Sequence, residues 1–146
     1  MSSKWMNRMH ALVPMTWQEE RVEEVLLQYG ITRLTHAAFP VAGRAYVVDF
    51  YLPNTQTVIE CWQSASRRGV ALTWVEKNAC YIDWKFRRIK SVNPAIRCVA
   101  LVEVGQAGEE QVKQHVGPVM EHADAVCYSM EELASVVRVT GWCGAL

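Results

Sequence analysis

Two rhythms of apolar and polar positions run along this chain. Val22, Val25, Leu26 and Tyr29 recur at helical spacing, behind a Thr16-Trp17-Gln18-Glu19 capping box and ahead of Gly30, so they predict a helix from about Thr16 to Tyr29. Its outer face carries Glu20, Glu23 and Glu24. The rhythm then shortens to alternation, predicting three strands, roughly Arg33–Phe39, Ala45–Tyr51 and Thr57–Trp62. Gly43 marks the first turn, and Leu52-Pro53-Asn54-Thr55 marks a hairpin between the second and third strands. A helix is predicted from about Ala79 to Lys90, and the almost continuous apolar run Ile96–Val104 reads as a buried strand. Glu109–His122 is an amphipathic helix, Ala125–Tyr128 a short strand, and Ser129-Met130-Glu131-Glu132 opens a last helix. The order αβββαβαβα predicts an α/β fold whose mixed sheet starts antiparallel and is later joined by helix-covered crossovers.

At 146 residues and 51% hydrophobic, the chain has the size and apolar content of one domain with a substantial core. Residues 1–14 read as a flexible N-terminal lead-in, 15–140 as the single domain and 141–146 as an irregular C-terminal tail. Fifteen basic and fifteen acidic side chains cancel, so any attraction to a polyanion must come from local clustering. No run of 18 apolar residues exists and no apolar stretch follows Lys4 and Arg8, which predicts a cytoplasmic protein with no membrane association. The five cysteines, Cys61, Cys80, Cys98, Cys127 and Cys143, are widely spaced and lack a CxxC, as reduced thiols are, with Cys143 expected to be exposed.

Candidate chemistry begins with two acids. Simple alternation puts Val47, Asp49 and Tyr51 on one face of the second strand, opposite Val48 and Phe50, and puts Val58, Glu60 and Trp62 opposite Ile59 and Cys61 on the third. A hairpin turned near Pro53-Asn54 brings Asp49 and Glu60 within a residue or two of direct register. Two carboxylates in an apolar strand setting repel each other unless they share a divalent cation, and oxygen donors on a rigid hairpin suit Mg²⁺ or Mn²⁺. The plain alternative is that both acids face solvent at a sheet end, or that one pairs with an arginine.

The stretch V-V-D-F-Y-L-P-N-T-Q-T-V-I-E-C-W from Val47 resembles the core of the PD-(D/E)XK nuclease superfamily, and is nearest to the branch holding the very-short-patch-repair endonuclease. Thr16 and Glu19, Gly30, Asp49-Phe50 with Pro53, Glu60, and Asp83-Trp84-Lys85-Phe86-Arg87-Arg88 match that branch in order. The resemblance spans about Thr16 to Val104. It implies a restriction-endonuclease-like fold and metal-dependent hydrolysis of DNA phosphodiesters, with the ion held by Asp49, Glu60 and the carbonyl of Cys61. It also implies an outer carboxylate from Glu19, which helix capping explains equally, with Glu20 as a substitute. The sequence departs from the family at Trp62, which stands where the motif has its lysine. Lys85 is the first candidate for a migrated catalytic lysine and Lys77 the second; a solvated helix face is the ordinary reason to find either. Without such a lysine the alternative is a catalytically inactive nucleic-acid-binding or assembly module.

Positive charge clusters downstream of Glu60. Together with Lys85, the residues Arg67, Arg68, Lys77, Arg87, Arg88 and Lys90 face only Glu76 and Asp83, and these six are the candidate nucleic-acid contacts. The competing reading is a solvated helix with Asp83 and Arg87 paired. Trp62, Trp74 and Trp84 fall in this region as core residues or as base-stacking groups. No ligand role is read for His10, His36, His115 or His122, and apolar residues such as Val112, Val116, Val119, Leu133 and Val137 cover the sheet or make a homodimer interface.

Overall fold

The computed structural model describes residues 15–64, 72–104 and 109–145. The predicted lead-in, Arg67 and Arg68, and the turn at Gly105–Gly108 lie outside the described residues. A five-stranded mixed sheet is flanked by four helices: α1 (Trp17–Gln28), β1 (Leu34–Val41), β2 (Arg44–Leu52), β3 (Thr57–Ser64), α2 (Leu72–Val92), β4 (Arg97–Val104), α3 (Glu109–Val116), β5 (Ala125–Cys127) and α4 (Met130–Ala145). The strands lie in chain order, β1-β2-β3-β4-β5, as an antiparallel meander through β3 and parallel thereafter. The α/β class, the mixed sheet and the element order agree with the sequence pattern.

Local chemistry sets the ends of α1. The Thr16 hydroxyl accepts the N–H of Glu19, and acidic residues at Glu19 and Glu20 complement the helix dipole. At the other end Gly30, at φ +64°, donates to Leu27 O while Ile31 donates to Leu26 O, the Schellman closure that a left-handed residue permits. The β1–β2 turn holds Ala42 at φ +49° and Gly43 at φ +80°, a two-residue hairpin with both central residues left-handed.

Each sheet face has its own core. Under α2 and α3 lie Ala37, Val48, Val58, Cys98, Ala100 and Val102, packed on Val75, Ala79, Ile82, Phe86 and Ile89. Under α1 and α4 lie Phe50, Leu52, Ile59, Val99, Leu101 and Cys127, packed on Val22, Leu26, Leu133 and Val137. Successive residues of β4 therefore enter opposite cores, which explains its unbroken apolar run.

Four expectations change. α2 starts at Leu72 rather than near Ala79, because Val75 is a core residue one turn earlier. The predicted helix over Glu109–His122 ends at Val116 and passes into a 3₁₀ turn, Gly117–Val119, where Pro118 cannot donate a main-chain hydrogen bond. The expected irregular tail from 141 is instead helical to Ala145: an interior glycine costs only about 1 kcal/mol, too little to end a helix anchored by Leu133 and Val137.

The fourth concerns the faces of β2. Val48 and Tyr51 pack in the core under α2, whereas Phe50 packs in the other, so simple alternation fails between 48 and 50. The break falls on one row. Ladder pairs run Leu34↔Tyr51 and Thr35↔Phe50, then resume at Ala37↔Val48, omitting His36 and Asp49. His36 has φ +49°, a left-handed residue inside a strand, and that kink resets the phase of the paired strands. On β3 the expected alternation holds: Val58 and Trp62 pack in one core, Ile59 and Cys61 in the other. Among the described residues no helix is long and apolar enough to cross a membrane.

Candidate functional site

The interrupted row is where the titratable side chains gather. The β2–β3 pairs run Leu52↔Thr57, Tyr51↔Val58, Phe50↔Ile59, and one step further stand Asp49 and Glu60. There the two strands exchange side-chain contacts instead: Cys61 N–H donates to Asp49 Oδ2 at 2.7 Å, and the Glu60 carboxyl is hydrogen-bonded by the backbone of Asp49. Each acid is held rigidly by the other's strand. The two acids influence each other's charge, but the group of ligand atoms close enough for one cation joins Asp49 to Glu19 and His36 and leaves out Glu60, so the expected Asp49–Glu60 ligand pair is not the one brought together here.

Three further elements close on this row. From α1, Glu19 extends from the first turn and its Oε2 lies 2.8 Å from His36 Nε2. The cap at Thr16 fixes that turn, and Gln18 pins it to the sheet by donating to Trp62 O (3.2 Å) and Glu103 Oε1 (3.0 Å). From β1, the kink at His36 delivers the imidazole. From α2, Lys85 Nζ donates to Glu60 Oε1 (3.1 Å) and to Val47 O (2.9 Å), entering where β2 and β3 part.

Burial makes the row electrostatically costly. Glu19, His36, Glu60 and Lys85 are all buried, and Asp49 is half-buried. Desolvation pushes the Asp49 carboxyl up to about 6, with the neighbouring Glu19 charge adding to it; the Cys61 hydrogen bond, Lys85 and His36 oppose the rise. Glu60 is raised further, first by burial and then by Asp49, against the pull of Lys85. Burial and the neighbouring carboxylates hold the Cys61 thiol well above its usual range.

Ligand atoms of Glu19, His36 and Asp49 lie within 4.8 Å of one another, the spacing of a set that one cation can bridge. Two carboxylates and an imidazole suit a divalent metal. The residue unread from sequence is His36: a lone histidine in a strand gives no signal, because its role depends on a backbone kink and on α1 arriving with Glu19. Gln18 is likewise legible only in the fold.

Lys85 reaches Glu60; Lys77 is exposed, its Nζ 5.3 Å from the ring centroid of Trp74. Glu20 is exposed, which leaves Glu19 as the α1 acid of the site. Arg87 is exposed, Arg88 donates to Tyr46 Oη at 3.3 Å, and Lys90 pairs with Asp124 at 2.7 Å. Asp83 binds the backbone and imidazole of His122 rather than pairing with Arg87. Trp62 packs against the core under α2. No family model, curated protein or solved structure matches this chain.

Proposed function

We propose that this protein is a divalent-metal-dependent endonuclease of the PD-(D/E)XK, restriction-endonuclease-like type, hydrolysing DNA phosphodiester bonds. The observation that carries this reading is Lys85: a helix lysine reaches the Glu60 carboxylate beside Asp49, supplying at the site the amine that Trp62 does not. The raised carboxyls of Asp49 and Glu60 support it as well, since buried acids in mutual repulsion are what a bound cation stabilises.

Asp49 would hold the ion together with Glu19 and His36, and Glu60 would lie beside it with its charge balanced by Lys85. The donor set accepts Mn²⁺ readily and Mg²⁺ through its oxygens. Such an ion supplies Lewis acidity, lowering the pKa of a water and offsetting charge on the phosphate. Lys85 orients Glu60 and provides positive charge where phosphate oxygens gather negative charge, and the Cys61 N–H keeps the Asp49 carboxylate from turning away.

The test is cleavage of duplex, nicked and single-stranded DNA with Mg²⁺ or Mn²⁺, repeated with Asp49→Ala, Glu60→Ala and Lys85→Met. Metal-dependent cutting lost in all three variants supports the reading. Trp62 in the core favours a second one, a nucleic-acid-binding module without catalysis. DNA binding that persists in EDTA with no cutting under either metal is its outcome, and it defeats the nuclease.

A further inference from the structure

Resting on the nuclease reading, we propose that Tyr81 is a base-stacking platform beside the Glu60–Lys85 pair, and that the DNA taken there is single-stranded. Tyr81 is 58% exposed, with the exposed Trp74 on the same helix. It is also next to the site: Lys85 Nζ lies 5.3 Å from its ring centroid and 3.1 Å from Glu60 Oε1.

The ring is held in place. It stacks on Trp84 with centroids 6.1 Å apart and planes at 27°, and Trp84 meets Tyr46 edge-on at 5.4 Å. Arg88 fastens the other side, with its Cζ 5.9 Å from the Trp84 centroid and its Nε donating to Tyr46 Oη. An ordered ring loses little freedom when a base settles on it.

Charge supports a polyanion. Trp74, Lys77, Tyr81, Trp84, Lys85 and Arg88 recur at helical spacing and so share one side of α2. The two acids of α2 lie elsewhere on the helix, Glu76 hydrogen-bonded to His115 and Asp83 to His122. The aromatic side therefore pairs rings with cations, the combination that grips a single strand through its bases and its phosphates. In a continuous duplex the base faces are covered by their neighbours, and a protein ring stacks only on an unpaired or extruded base.

Fluorescence anisotropy of a labelled oligothymidylate, and of a blunt duplex of equal length, tests the assignment in EDTA and with Ca²⁺. Wild type binds the single strand more tightly than the duplex. Tyr81→Phe keeps that affinity, and Tyr81→Ala weakens single-strand binding by roughly fivefold or more while leaving duplex binding and the thermal midpoint unchanged. Equal losses on both substrates, or no loss for Tyr81→Ala, overturn the stacking role while the nuclease reading stands. If wild type binds neither substrate, the nucleic-acid reading fails and takes this inference with it.

Discussion

Asp49 Oδ2 accepts the backbone N–H of Cys61 at 2.7 Å, one step beyond the last β2–β3 ladder pair, Phe50↔Ile59. A side chain thus does the work of a main-chain carbonyl where the strands part. The parting admits Lys85 from α2 to Glu60 and to the Val47 carbonyl, and it concentrates negative charge in a partly dehydrated row. The consequences are measurable.

Metal-free protein is destabilised as Asp49 ionises. A carboxyl raised from 3.8 to about 6 in the folded state contributes its full stability below the unfolded value and loses it as pH climbs through about 6. Asp49→Asn keeps an acceptor for Cys61 N–H without the charge. It is expected to raise urea-unfolding stability at pH 8 by on the order of 1–3 kcal/mol and to give no gain at pH 4. A variant that loses stability at pH 8 contradicts this.

A divalent cation should reverse that penalty. With Mn²⁺ or Mg²⁺ at about a hundred times Kd, wild type gains roughly 2.7 kcal/mol, seen as a rise in thermal midpoint. Glu19→Gln and His36→Ala should reduce the rise, and Asp49→Asn should remove it. Because protons compete for Asp49, the metal effect weakens below about pH 6. A rise that is equal in all variants places the metal elsewhere.

Glu60 and Lys85 form a buried pair. Removing one side of such a pair costs about 3–5 kcal/mol. Lys85→Met is expected to destabilise by leaving Glu60 without its cation, and Glu60→Gln, which removes a charge that burial already disfavours, to destabilise much less or not at all, with a coupling energy of about 1–3 kcal/mol between the two from urea titrations. Additive effects would mean that the 3.1 Å contact carries no net interaction.

The hairpin turn stores a correctable cost. Ala42 at φ +49° carries a Cβ in a conformation that disfavours it by about 1–2 kcal/mol, and asparagine tolerates that conformation better. Ala42→Asn should stabilise the protein by on the order of 0.5–1 kcal/mol in thermal or urea unfolding, with no change in metal response. Destabilisation would show that the turn does not need a left-handed residue there.

Much of the architecture could be read from side-chain periodicity, since burial repeats with the geometry of helix and strand. The capping box at Thr16, Gly30 after α1, the Pro53-Asn54 turn and the apolar run of β4 each act within a few residues, so their local chemistry fixes their structure. The same locality made the β2–β3 register from Leu52↔Thr57 to Phe50↔Ile59 readable, because a short hairpin ties the two strands together. The proximity of Lys85 to Glu60, 25 residues away, is a different matter. It depends on how α2 packs through Val75, Phe86 and Ile89, which the sequence states only as a helical stripe. Only the tertiary structure decided the phase break at His36 and Asp49, the meeting of Glu19 with His36, and the exposure of Tyr81. Those features arise from strand divergence and helix docking, long-range compromises among packing, backbone hydrogen bonding and buried charge that no local run of residues encodes.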